Sequence, residues 1–171
     1  MRLYSNGKLL ISGEYAILDG ALSLAAPTLF GQYLEILEDD SKYIKWTSKN
    51  SNGKVWFQSK IYRENLELDK SSSIKISNTL IEIIKNIRVF NPNFLTNSGA
   101  NITTKLTFDK DWGLGSSSTL ISNLSKLAGI DPFKLNNRIF NGSGYDIACA
   151  GSNSPLLFSK SGHKKHIKEV S

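Results

Sequence analysis

The sequence predicts an α+β domain built on a mostly antiparallel or mixed sheet. Three observations carry that expectation. Strand-like runs with period-two alternation crowd the first third of the chain. The period changes to a helical one at Ser77. After that a single strand-like run, 101–108, separates two helical patterns, so strands and helices do not alternate as in βαβ folds.

The elements follow in order. Lys8 to Ser12 reads as a strand between Gly7 and Gly13. "ALSLAAPTL" reads as a second short strand ended by Pro27, and "QYLEILE", "YIKWTS" and "KVWFQSKI" follow as three more. Each of these three alternates apolar and polar side chains, the pattern of a sheet with one wet face. Asn52-Gly53 marks a hairpin tip between the last two. Trp46 and Trp56 on these strands are expected to pack rather than to stack on a ligand. Leu80, Ile83, Ile84 and Ile87 fall at helical spacing, with Ser77 or Asn78 as cap and "NPN" at 91–93 as stop. "NITTKLTF" returns to strand. Leu120, Ile121, Leu124 and Leu127 form one face of a helix closed by Gly129. "DPFKLNNRIF" is a short helix capped by Asp131 with Pro132 at its first position. "SGYDIACAGS" starts another helix, and "SPLLFSK" and "HKKHIKEV" close the chain as strands.

A chain of 171 residues, 40% hydrophobic, can bury roughly two thirds of its unfolded surface in one core. One cysteine, Cys149, excludes an intramolecular disulfide and suits a reducing compartment. The N-terminus lacks a signal-peptide pattern, and no run of about 18 apolar residues is present. A soluble cytoplasmic protein is expected. The net charge is +6, part of it in the basic tail from Lys160 onward. That balance suits an anionic ligand such as a nucleotide, and weak nucleic-acid contact as well.

The stretch with most chemical content is "DWGLGSSSTLISNL", Asp111 to Leu124. Two glycines flank Leu114, three serines follow, and a helix begins. A helix N-terminus leaves backbone N–H groups unpaired and carries partial positive charge. Glycine admits close approach to that backbone, and the serine hydroxyls add hydrogen bonds. The stretch is thus either a serine cap after a tight turn or a cradle for phosphate. It is not a Walker A loop, because no lysine stands between the glycines and the serines.

"GLGSSST" resembles the phosphate-loop signature of the GHMP kinases, P-x-x-x-G-L-G-S-S-[AG], without its leading proline. "NGKLLISGEYAILDGALSLAAP", 6–27, resembles the N-terminal signature of that family. "GSGYDIACAG", 142–151, resembles its S-G-x-D-x-A segment, in the form of the bacterial "GYDIA" branch. Three blocks in the family's order make the resemblance to the mevalonate and phosphomevalonate kinases specific.

The resemblance implies the ribosomal protein S5 domain 2-like fold of the GHMP N-terminal domain, with helices on one face of the sheet, over 1–171. It implies a kinase using ATP and Mg²⁺, transferring the γ-phosphoryl group to a hydroxyl or phosphate of a mevalonate-like acid. Gly113, Leu114, Gly115, Ser116, Ser117 and Ser118 would wrap the phosphates, with Ser117 favoured to reach Mg²⁺. Asp146 would orient or deprotonate the acceptor hydroxyl. Lys8 would keep Asp146 ionised and stabilise developing charge. Glu14, Tyr15, Ser143 and Gly144 would lie on the acceptor side, although Glu14 is also placed to pair with Lys8 or to cap a turn.

Two departures stand out. "DPFKLNNRIFNGSG" has no glutamate where mevalonate kinase-type members carry a Mg²⁺ ligand. No segment matches the family's C-terminal domain, so weak or no turnover is expected of this chain, with self-association through the face that domain would cover. A non-catalytic nucleotide-binding module is the alternative. His163 and His166 have no partners for a metal site. Cys149 is expected to be a small buried residue. Neither a membrane nor a nucleic acid is an expected partner.

Overall fold

The computed structural model describes residues 1–14, 16–140, 142–162 and 164–170. Among them the strands are β1 (Arg2–Ser12), β2 (Ser23–Asp39), β3 (Tyr43–Lys49), β4 (Val55–Tyr62), β5 (Leu68–Ser71), β6 (Gly99–Leu106), β7 (Leu156–Ser161) and β8 (Lys164–Glu169). The helices are α1 (Ile74–Phe90), α2 (Ser116–Ala128), α3 (Pro132–Ile139) and α4 (Tyr145–Gly151). The eight strands form one sheet in the order β5-β4-β3-β6-β2-β7-β8, with β1 paired to β2 off that path. Among the described residues only β3 and β6 pair parallel. The architecture is the α+β mixed sheet that the sequence predicts.

β2 corrects one expectation. "ALSLAAPTL" and "QYLEILE" are a single 17-residue strand, and Pro27 lies inside it. On one side β2 pairs with β1 from Leu24 to Glu35, with two irregularities in register. On the other it pairs with β7 over Ser23–Ala25 and with β6 from Gln32 onward. Residues 26–30 face no strand on that second side, so a proline without an N–H is tolerated there. The chain linking β6 to α2 runs across this window: Thr107 bonds Gly31, and Trp112 packs edge-on to Phe30 at 5.5 Å.

α1 begins at Ile74, after Ser73, rather than at Ser77. Ser77 is fully buried, its hydroxyl bonded to those of Ser59 and Ser71, and therefore caps nothing. β5 was not expected, since "LDKS" carries no apolar alternation. The later helix ends follow the sequence. Asp131 accepts from Phe133 N and Lys134 N, Pro132 opens α3, and Gly129 closes α2 at φ +67°.

One face of the sheet is covered. Leu34, Ile36, Ile44, Trp46, Phe57, Ile61 and Ile102 point to Ile83, Ile84 and Ile87 of α1 and Ile121 and Leu124 of α2. Full burial of each such side chain is worth about 1.5–3 kcal/mol. A smaller cluster joins Cys149 of α4 to Phe158 and Leu156 of β7, Ala25 of β2 and Ile17. The two clusters seat α2 and α4 side by side over β1, and the candidate site lies where their starts meet that strand.

Candidate active site at the glycine–serine loop

Gly113 and Gly115 both take left-handed backbone, φ +71° and +86°. Ser118 Oγ donates to Gly115 O at 2.9 Å, and Thr119 N closes the first helical turn on the same oxygen. Ser118 is therefore buried and committed to the turn, whereas Ser117 is exposed and Ser116 half-buried. Of the three serines, 116 and 117 have outward hydroxyls at the helix start.

The loop lies flat on β1. Lys8 N donates to Leu114 O at 3.0 Å. A Cβ on Gly7 would sit 2.9 Å from Leu114 O and 2.7 Å from Thr28 Oγ1, so only glycine admits this approach. The Lys8 side chain then runs beneath Gly115, where an added Cβ would be 3.2 Å from Lys8 Cγ. The Lys8 ammonium ends 5.4 Å from the centre of the Tyr145 ring, next to Asp146 in sequence. Lys8, the glycine–serine loop and the start of α4 thus meet across the ends of three separate elements.

Asp146 is mostly buried. Burial pushes its pKa above the usual carboxylate range, while a bond from Ile147 N and the charge of Lys8 pull the other way. A carboxylate made more basic by desolvation and still facing a cation suits proton acceptance from a hydroxyl. Cys149, one turn on, is fully buried, its thiol pushed up to about 12 by the same desolvation, which removes it as a nucleophile.

A buried polar network holds α2 to the sheet. Ser5 Oγ donates to Asn123 Oδ1 and shares a hydrogen bond with Ser122 Oγ, Asn123 Nδ2 donates to Gln32 O at 2.8 Å, and Lys126 Nζ reaches Tyr4 O and Ser5 Oγ. Ser5 stands three residues before Lys8 on β1. The network therefore sets the glycine–serine loop in register with Lys8.

Solved structures share this arrangement of strands and helices over nearly the whole chain. A Streptococcus pneumoniae phosphomevalonate kinase, solved with phosphomevalonate and AMPPNP, is 21% identical, with a TM-score of 0.68 over 94% of this chain and 50% of its own. A Methanococcus jannaschii mevalonate kinase is 15% identical, with a TM-score of 0.66 over 100% of this chain and 56% of its own. A Bacteriodes thetaiotaomicron D-glycero-D-manno-heptose 1-phosphate kinase is 15% identical, with a TM-score of 0.69 over 99% and 60%. The chain has the GHMP kinase fold. It spans about half the length of the kinases it matches. No protein-family model matches the sequence, and no curated protein matches it significantly.

Within the GHMP fold, a cavity of about 260 Å³ opens beside the loop serines, lined by Trp56, Ile76, Leu80, Leu120 and Phe140 as well as Ser116 and Ser117. Its volume is near the lower end of small-ligand pockets, ~300–1,000 Å³. Trp46 packs as expected, 2% exposed, with its Nε1 bonded to Ser48. Trp56 does not. The register slips between Ser48 and Lys49, which pair with Phe57 and Val55, leaving Trp56 as the unpaired residue of a bulge. It is 41% exposed at the cavity wall. Sequence alternation could not find it, because a bulge breaks the alternation.

Of the other sequence-predicted residues, Gly144 takes left-handed backbone (φ +92°) at the start of α4 and Ser143 beside it is buried. Glu14 is exposed and forms no ion pair with Lys8. Tyr15 and His163 lie outside the described residues. Among the described residues no cluster of three or more His, Cys, Asp or Glu is placed to hold a metal, and no helix is long and apolar enough to cross a membrane.

Proposed function

We propose that the chain forms the ATP-binding half of a GHMP-type small-molecule kinase that transfers the γ-phosphoryl group of ATP to a hydroxyl or phosphate of a mevalonate-like acid. The observation that carries this reading is the meeting of Lys8, the 113–118 loop and Asp146. It supplies the parts phosphoryl transfer requires: a backbone cradle, a cation and a carboxylate beside the acceptor. In this reading the base enters the cavity beside Trp56, and the phosphates pass over Ser116 and Ser117 to the start of α2. Lys8 stabilises charge on the transferred group, and Asp146 takes or orients the acceptor proton. Mg²⁺ arrives with the nucleotide. The exposed Ser117 hydroxyl is the oxygen this chain would offer it, in keeping with an ion held largely by phosphates and water.

Calorimetric titration with Mg-ATP tests the cradle, with Gly115→Asp as the blocked loop. Micromolar binding lost in the variant is expected. Binding absent from the wild-type chain, or unchanged in the variant, refutes the reading. For chemistry, phosphoryl transfer to mevalonate or phosphomevalonate is followed with Asp146→Ala. Turnover should vanish with nucleotide binding kept, and retained turnover removes Asp146 from the role. Nucleotide binding without transfer to any acceptor favours a binding module instead.

A further inference from the structure

The hairpin of β7 and β8 carries two lysines directly opposite each other. Lys160 pairs in register with Lys165, two positions from the Phe158–Ile167 pair. Alternation along β7 puts Lys160 on the same face as the buried Leu156 and Phe158, the face turned to α4. Both lysines point at the segment just before Asp146. Lys160 Nζ donates to Gly142 O at 3.3 Å. Lys165 reaches the cap of α4: its Cε would be 3.5 Å from a Cβ on Gly144, and its Nζ lies 4.7 Å from the centre of the Phe133 ring.

Like charges directly opposite on a sheet are unfavourable. Elsewhere on this sheet opposed lysines are offset: Lys45 and Lys60 also pair in register, and each has its own carboxylate, Asp39 and Asp69. Lys160 and Lys165 have none within 4 Å among the described residues. Both are half-buried, not fanned into solvent. An uncompensated, partly desolvated cation pair aimed at one loop is arranged for an anion from outside the chain. The pair is also distinct from the reaction centre, where Lys8 is the cation that acts on Asp146.

We infer that Lys160 and Lys165 bind the anionic group of the acceptor, a carboxylate or a phosphate, while Asp146 and Lys8 attend its reacting oxygen. The inference rests on the kinase reading above and adds the residues that select the acceptor: two lysines that hold its negative charge several bonds from the reacting oxygen. Lys165 makes the principal contact, because Lys160 is shared with Gly142 O.

The test is calorimetric titration of the full chain, in the presence of AMPPNP, with mevalonate, phosphomevalonate, inorganic phosphate and the uncharged polyol galactose. Lys165→Met and Lys165→Arg are compared with wild type. The expected result is binding of at least one of the anions and none of galactose. Lys165→Met should weaken that binding about tenfold, the loss of one charge-assisted hydrogen bond. Lys165→Arg should restore it, and nucleotide affinity should be unchanged in both variants. Preference for inorganic phosphate over mevalonate identifies a phosphate remote from the reacting oxygen as the bound group; preference for mevalonate over inorganic phosphate identifies a carboxylate. Three results overturn the inference: Lys165→Met binding the anion like wild type, galactose binding as tightly as the anions, or wild type binding nucleotide but no anion. Failure to bind the nucleotide itself refutes instead the kinase reading on which the inference stands. Thermal midpoints separate misfolding from lost contact, since removing one of two opposed lysines should not lower the midpoint.

Discussion

Gly115→Ala puts the loop geometry to a quantitative test. Gly115 holds φ +86°, where an L-residue with a Cβ pays about 1–2 kcal/mol. The new methyl group would stand 2.5 Å from Ser118 Oγ, so that hydroxyl must leave its bond to Gly115 O, at a further cost of about 1 kcal/mol. It would also press on Lys8 Cγ at 3.2 Å. The sum is about 2–3 kcal/mol. At roughly 2–4 °C per kcal/mol for a chain of this size, the thermal midpoint should fall by about 4–12 °C. Gly129→Ala is the matched control. Gly129 also has a positive φ, +67°, but nothing lies within 4 Å of an added Cβ, so only the backbone cost of about 1–2 kcal/mol applies. Calorimetric melts of both variants, followed by titration with Mg-ATP, complete the comparison. Gly115→Ala should be the less stable by about 1 kcal/mol, and it alone should lose nucleotide affinity, since its methyl group displaces Lys8. Equal melting of the two variants with equal nucleotide binding would show that the Ser118 bond and the Lys8 approach do not matter, and the loop would be only a helix start.

Other residues give independent checks. Burial raises the pKa of Asp146, so the folded state holds that proton more tightly than the unfolded chain, and ionised Asp146 costs stability as pH rises above the unfolded value of about 4. Asp146→Asn should therefore raise the thermal midpoint at pH 7 and lose the advantage below about pH 4; equal midpoints at both pH values would mean that the carboxylate is not desolvated. Trp56→Ala should weaken Mg-ATP binding by about 1–3 kcal/mol, the range for stacking of one base on an aromatic ring, with little change in melting because Trp56 is 41% exposed. Asn123→Leu removes the donor to Gln32 O and the acceptor for Ser5 from a fully buried position. It should cost about 1–3 kcal/mol in denaturant titration and weaken Mg-ATP binding in calorimetric titration, because the network sets the loop against Lys8.

Features set by neighbouring residues were legible in the sequence. Asp131-Pro132 starts α3, Gly129 ends α2, and Gly113-Leu114-Gly115 makes the tight turn, because each depends on side chains and φ values within one turn of chain. Features set by distant partners were not. The sequence reads Pro27 as a strand end because its tolerance depends on the gap that β6 and β7 leave along β2. It offers Ser77 or Asn78 as a cap because the partners of Ser77, Ser59 and Ser71, belong to β4 and β5. The site divides the same way. The loop, Lys8 and Asp146 could be singled out by type and by resemblance, but the contact of Lys8 with Leu114 joins positions more than a hundred residues apart, and Gly7 acquires its purpose only there.

Register makes the same point for the lysine pair. Strand side chains alternate with period two, so slipping β8 by one residue against β7 would set Lys164 or His166 opposite Lys160 and turn Lys165 to the outer face. The composition of the basic tail would be unchanged, and the cation pair beside Gly142 and Gly144 would be gone. What converts four lysines of a solvated tail into two that face the loop is the register of β8 on β7, together with the inward face that buried Phe158 gives β7. Burial of Phe158 against Cys149 and Ala148 sets which face β7 turns to α4, and with it the side on which Lys160 stands. The apolar contact thus fixes the charged one, and a variant that loosens the first, such as Phe158→Ala, should weaken an anion held by the second although it touches neither lysine.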